Sequence, residues 1–249
     1  MLTVKNLPAA LRETGLFCCW RYEQRQDKPT KVPYNPSTGG KAQSTNPAAF
    51  APLSKALWAL GKSLETPAPY NGIGVGVFGT LGAIDIDHCI SDAGELSEMA
   101  ADILETMQGY AEYSPSGKGL RILFTVPEGF TYDKARFYIN NQRVGLEVYI
   151  AGCTNKYVTV TGNALTPGRD LEGREEQLRA VLEKYMRRSD RRVPQAPREP
   201  VDLDDLQLIE KAERSKNGAA FAALWAGDTS GYQSASEADM ALCNALAFW

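Results

Sequence analysis

GAIDIDHC, residues 82–89, is the stretch on which the fold turns. Apolar and acidic residues alternate strictly, which predicts a strand with Ile84 and Ile86 on one side and Asp85 and Asp87 on the other. Strands are poor in Asp, and the Val- and Ile-rich surroundings are those of a central strand. Two carboxylates sharing a half-buried face repel one another unless a cation bridges them, and oxygen ligands of this kind suit Mg2+ or Mn2+. The alternative is a solvated edge face on which both acids simply meet water.

Working outward, IGVGVF (73–78) and LGAIDID (81–87) form two strands joined at Gly79 and Thr80. FCCWRY (17–22) has the aromatic, apolar character of a buried strand, and residues 24–47, dense in Pro, Gly, Ser, Thr and Asn, predict a long structured loop with room for a short hairpin. Residues 48–62 have helical spacing, with Phe50, Leu53, Leu57 and Leu60 on one side and Asn46 and Pro47 as cap and first-turn residues. In residues 95–108, Leu96, Met99, Ala100, Ile103, Leu104 and Met107 give the clearest amphipathic helix. GLRILFTV, LEVYIA and YVTVT read as three further strands, and residues 175–188 as another helix. This is an α/β (α+β) chain with a mostly antiparallel central sheet.

A proline-bearing charged connector at 189–202 divides a catalytic domain, 1–188, from a small all-α helical module, 203–249, in which Ser234 and Glu237 are spaced as a capping box. The apolar ALCNALAFW that ends at Trp249 lacks packing partners, so the module is expected to be truncated and the chain a piece of a longer protein. No apolar run approaches the ~20 residues that span a bilayer, and the N-terminus lacks a secretory signal's hydrophobic region, so a cytoplasmic, non-membrane protein is expected. Five cysteines without a C-x-x-C pair argue against a zinc knuckle and a disulfide scaffold. A net charge of -3 excludes a broadly basic nucleic-acid binder and leaves room for a local groove. Candidates for one are Lys134, Arg136 and Arg143, and the run Lys184, Arg187, Arg188, Arg191 and Arg192; such runs are otherwise solvated faces.

Glu147, between Leu146 and Val148, could complete a carboxylate cluster with Asp85 and Asp87, or point to water. SPSGKGLRILF (114–124) is a Gly-rich turn entering a strand, whose backbone N–H groups, Ser116 hydroxyl and Lys118 or Arg121 are candidate phosphate donors. It is not a Walker A loop, because position 112 is Glu and Gly119 follows Lys118. His88, next to the acids but off their face, is expected to pack rather than ligate.

The order GAIDIDHC, SPSGKGLR, GLEVYIAG, KYVTVTGN resembles the archaeo-eukaryotic primase superfamily, in particular the bifunctional primase-polymerase branch of phages and plasmids, and the resemblance runs over nearly the whole chain. It implies an RRM-like catalytic core and a template-directed nucleotidyltransferase, a DNA primase and polymerase of phage or plasmid replication in the host cytoplasm. By position it makes Asp85, Asp87 and Glu147 the ligands of two Mg2+ or Mn2+ ions. It makes Ser116, Gly117, Lys118, Gly119 and Arg121 nucleotide contacts, with Lys31 in TKVPY and Lys156 as further contacts to phosphate or template. Single-stranded or primed DNA and dNTPs, with NTPs open, are the implied substrates, and a helicase region is implied in the full-length protein. The resemblance departs at Arg121, where many members carry His; arginine binds phosphate bidentately but does not titrate near neutrality. Two rivals remain: a D-x-D glycosyltransferase, which accounts for Asp85 and Asp87 but not Glu147, and a non-catalytic DNA-binding replication initiator.

Overall fold

The aromatic segment at residues 17–22 opens the first of two sheets. In the computed structural model, which describes residues 2–25, 28–154, 156–188, 205–232 and 234–246, it follows α1 (Ala9–Thr14) and becomes β1 (Phe17–Arg25). β1 turns back into β2 (Lys28–Tyr34), with Trp20 across from Pro33 and Tyr22 across from Lys31. The first part of the stretch expected as a loop with room for a short hairpin is therefore strand, in a hairpin that is longer than expected. Its prolines fit because the sheet order is β2, β1, β3 (Gly72–Gly76), β9 (Tyr157–Val160), and an edge strand needs only half its N–H groups for pairing.

The helix expected over 48–62 is divided. Asn46 accepts from the Ala48 N–H to cap a 3-10 turn at Pro47–Ala49, and α2 (Leu53–Ser63) begins only after Pro52. A proline at the helix start fixes φ where an unpaired N–H is tolerated, so Pro47 and Pro52 each begin a separate helical piece. Leu53, Ala56 and Ala59 of α2 are buried against β1 and β3.

The second sheet runs β5 (Tyr110–Tyr113), β6 (Leu120–Thr125), β4 (Leu81–Ile86), β8 (Leu146–Ile150), β7 (Asn140–Asn141), and all described ladders of both sheets are antiparallel. The mixed α and β content and the antiparallel pairing agree with expectation; the single central sheet is corrected to two. One face of this sheet, with Ile84, Ile86, Leu120, Ile122, Leu146 and Val148, packs on α3 (Glu98–Met107) and α4 (Glu175–Val181) through Ile103, Met107, Leu178 and Val181. The other carries Ala83, Tyr110, Leu123 and Tyr149 into a second core shared with Phe17, Cys19, Ile73 and Val75 of the first sheet. Each fully buried Ile, Leu or Phe contributes about 1.5–3 kcal/mol, so both faces hold the register of β4.

Ser97 caps α3 by accepting from the Ala100 N–H, and α4 passes into a π-helical turn, Leu182–Met186. The chain divides into two compact units, Met1–Ser189 and Asp190–Trp249. Residues 189–204, which include the expected linker, lie outside the described residues. The described part of the second unit holds α5 (Asp205–Glu213), α6 (Gly218–Trp225) and α7 (Ala235–Leu246), the last capped by Ser234 Oγ accepting from the Glu237 N–H at 3.2 Å. Among the described residues no helix is long and apolar enough to cross a membrane.

Candidate active site

One row of polar side chains crosses the second sheet at right angles to its strands. Asp85 of β4 is paired on one side with Arg121 of β6 and on the other with Glu147 of β8; Glu112 of β5 and Asn140 of β7 extend the row to both edges. Residues directly opposed in antiparallel ladders project to the same face, so five residues far apart in the chain line up: Glu112, Arg121, Asp85, Glu147, Asn140. Asp85 and Glu147 thus share a face, as expected. Asp87 lies one residue past the end of β4 and is exposed, its N–H donating to the Gly145 carbonyl at 2.8 Å. His88, expected to pack, is exposed at φ 51; the chain enters a left-handed turn there and turns the imidazole to water.

Arg121 Nη2 donates to Asp85 Oδ2 at 3.2 Å, with the guanidinium side chain 4% and the carboxylate side chain 15% exposed. Asp85 Oδ1, Arg121 Nε and Nη1, and Thr159 Oγ1 are buried and have no hydrogen-bond partner. Together they face a cleft of about 390 Å³ whose lining also includes Lys31, Lys156, Ser44 and Tyr157. Leaving several such atoms unmatched costs about 1–3 kcal/mol each, so the cleft is shaped to receive polar groups from outside the chain.

Burial raises the Asp85 carboxyl above the ordinary carboxylate range and Asp87 pushes it the same way, while Arg121 and Lys31 pull it down. Glu147 is raised by burial and by the charges of Asp85 and Asp87, against Lys156 and a hydrogen bond from Asn140. Lys31 is lowered by burial and by Arg121, with Asp85 and Asp87 opposing. Asp85 and Glu147 are each pushed up by neighbouring acids and Lys31 is pushed down by a neighbouring guanidinium, so charges of like sign lie within reach of one another on both sides.

Among the described residues no three His, Cys, Asp or Glu side chains converge on a point that could hold a metal ion. The donor chemistry nevertheless fits hard divalent cations: the three acids offer only oxygen, they repel one another, and Asp85 Oδ1 is buried without a donor.

The Ser116–Gly119 turn meets the end of β4 through its backbone. A Cβ on Gly119 would stand 2.6 Å from the Ile86 carbonyl oxygen, and the Ser114 N–H donates to Gly119 O. Ser116 and Gly117 line a second cavity, of about 360 Å³, that reaches Val160 and Thr161, while Lys118 is paired with Asp92. Five of the seven nucleotide-contact candidates therefore line cavities, Arg121, Lys31 and Lys156 the cleft that holds Asp85 and Ser116 and Gly117 the second cavity, while Lys118, paired with Asp92, and Gly119, packed on the Ile86 carbonyl, line neither.

Glu112 is the residue that sequence reasoning passes over. It is fully buried, and it accepts from the Thr161 and Gly162 N–H groups and the Tyr110 hydroxyl, each at 2.8 Å, tying β5 to the segment that follows β9. The two tyrosines of YAEY, residue types favoured in strands, were the available signal. Of the basic runs, Lys184 pairs with Asp102, Arg136 and Arg187 with Glu183, and Arg188 donates to the Lys134 and Phe137 carbonyls, whereas Arg191 and Arg192 lie outside the described residues. The largest cavity described, about 580 Å³, is in the second unit and is mainly apolar; Asp85 and the unpartnered atoms of Asp85, Arg121 and Thr159 are in the smaller cleft.

No protein-family model matches the chain. A curated relative does. The chain is similar to the DNA primase-polymerase of Nitratiruptor phage NrS-1, 27% identical over 255 aligned residues that take in 99% of this chain. It spans 32% of the length of that phage protein.

Proposed function

We propose that this chain carries the primase-polymerase core of a phage- or plasmid-type replication protein, a template-directed nucleotidyltransferase acting on DNA with dNTPs or NTPs. The observation that supports it most is the cleft in which a buried carboxylate, a buried guanidinium and two lysines meet with several polar atoms unmatched. A metal-bound triphosphate is a ligand that uses both signs of charge at once. Similarity over almost the full chain to a phage primase-polymerase favours this reading over a glycosyltransferase.

In this reading Asp85, Asp87 and Glu147 hold Mg2+ or Mn2+, which when bound activates an attacking hydroxyl and stabilises charge on the phosphoryl group. Arg121 Nε and Nη1, Lys31 and Lys156 neutralise phosphate oxygens, and Arg121 also holds Asp85 in place. The turn from Ser116 to Gly119 supplies backbone donors at the margin of the site. A helicase region and a role for the second unit in recognising template belong to the same proposal.

The test is extension of a labelled primer on single-stranded DNA with dNTPs and Mg2+ or Mn2+, comparing the chain with Asp85→Ala/Asp87→Ala. Metal-dependent extension that the variant loses is expected. A folded chain that binds template but incorporates nothing would instead be a binding module.

A further inference from the structure

The solvent side of α2 is chemically unlike the rest of the surface. Trp58 stands 58% exposed at its centre, with Lys55 Nζ 4.5 Å and Lys62 Nζ 6.0 Å from the indole ring. Among the described residues neither lysine is paired with a carboxylate. No Asp or Glu occurs between Ala42 and Leu64, and Glu65, just past the end of the helix, is the nearest acid that follows in sequence, so the helix itself carries two positive charges and no negative one. Burial of Leu53, Ala56 and Ala59 fixes the helix from its inner side, so the indole is displayed on a rigid element instead of a loop. Full burial of a large apolar side chain is worth about 1.5–3 kcal/mol, and Trp58 forgoes a good part of it by keeping more than half its surface in water.

We infer that Lys55, Trp58 and Lys62 form a docking surface for single-stranded nucleic acid, in which a base stacks on the indole and the two ammonium groups take the flanking phosphates. Every base offers a π-face and every nucleotide a phosphate, so a flat aromatic between two cations binds a strand without reading its sequence. Two ammonium groups beside the ring favour a polyanion over an apolar protein partner. That the strand held there is a template rests on the polymerase reading; the binding itself does not.

Binding of a fluorescein-labelled oligo-dT to the full chain, followed by anisotropy over a range of salt, tests this. Trp58→Ala is expected to weaken binding about tenfold, and Trp58→Phe to restore most of it, because stacking survives in the smaller ring. Lys55→Ala/Lys62→Ala should flatten the slope of log K against log salt by about 1.4, the contribution of two phosphates on a single strand. Anisotropy reads binding alone, so the outcome does not depend on whether the chain extends a primer, which separates this surface from the polymerase reading. Unchanged affinity and salt slope in both α2 variants, with their melting temperatures preserved, would overturn the proposal, as would no binding by the unaltered chain.

Discussion

Arg121 lies directly across the β4–β6 ladder from Asp85, one hydrogen bond joining the two and both largely withdrawn from water. Removing one partner of a buried pair leaves the other charge uncompensated. Arg121→Ala is therefore expected to lower stability by about 3 kcal/mol in a urea titration, and Arg121→Ala/Asp85→Ala by clearly less than the two single losses added together. Strictly additive losses would show that the pair is not coupled.

Divalent cation should stabilise the folded chain if the three acids hold it. Mn2+ at about 100 times its dissociation constant corresponds to about 2.7 kcal/mol, seen as a rise in melting temperature. Asp85→Ala/Asp87→Ala should not respond, and its melting temperature in chelator should fall below that of the unaltered chain, since loss of Asp85 leaves the buried Arg121 guanidinium without its partner. An equal Mn2+ response in both proteins would place the ion elsewhere.

Glu112 offers a pH dependence with a defined sign. Burial raises its carboxyl above the ordinary range, although the Thr161 and Gly162 N–H groups, the Tyr110 hydroxyl and Arg121 pull it down. The folded state then holds a proton that the unfolded state has released, so this group's contribution to stability falls as pH climbs from about 4 through its raised folded value. Glu112→Gln removes that slope. It also sets an amide NH2 against a backbone or hydroxyl donor, costing about 1–3 kcal/mol at the low-pH end. Denaturant midpoints measured across this range for both proteins show both effects.

Gly119→Ala tests the close approach of the 116–119 turn to the end of β4. The added methyl would meet the Ile86 carbonyl oxygen at 2.6 Å, backbone that cannot swing aside, and a loss of about 1–3 kcal/mol in thermal or chemical unfolding is expected. Gly117→Ala, where open space surrounds the new methyl and only a φ of +72° opposes it, should cost less.

Much of this was legible in the sequence because it depends on periodicity. Alternation at 82–87 placed Asp85 opposite the apolar face, and helical spacing found Ile103 and Met107 of α3. What periodicity lacks is register. Nothing local to residues 112, 121 or 147 says that they stand beside Asp85, so Arg121 was legible as a phosphate donor but not as the partner of an acid. β5 escaped notice because four residues make a short pattern, and with it went Glu112. The prolines of β2 misled for a physical reason: they forbid a central strand but not an edge. Whether Asp85, Asp87 and Glu147 bind cations is for the Mn2+ experiment to decide.

The row from Glu112 to Asn140 draws one residue from each of five strands. A slip of one residue in any strand would turn its member off the polar row and toward the opposite side of the sheet, where the aliphatic layer lies. If the row serves the proposed polymerase site, misassembled chains would be silent rather than partly active, and a titration of working sites would double as a count of correctly threaded molecules.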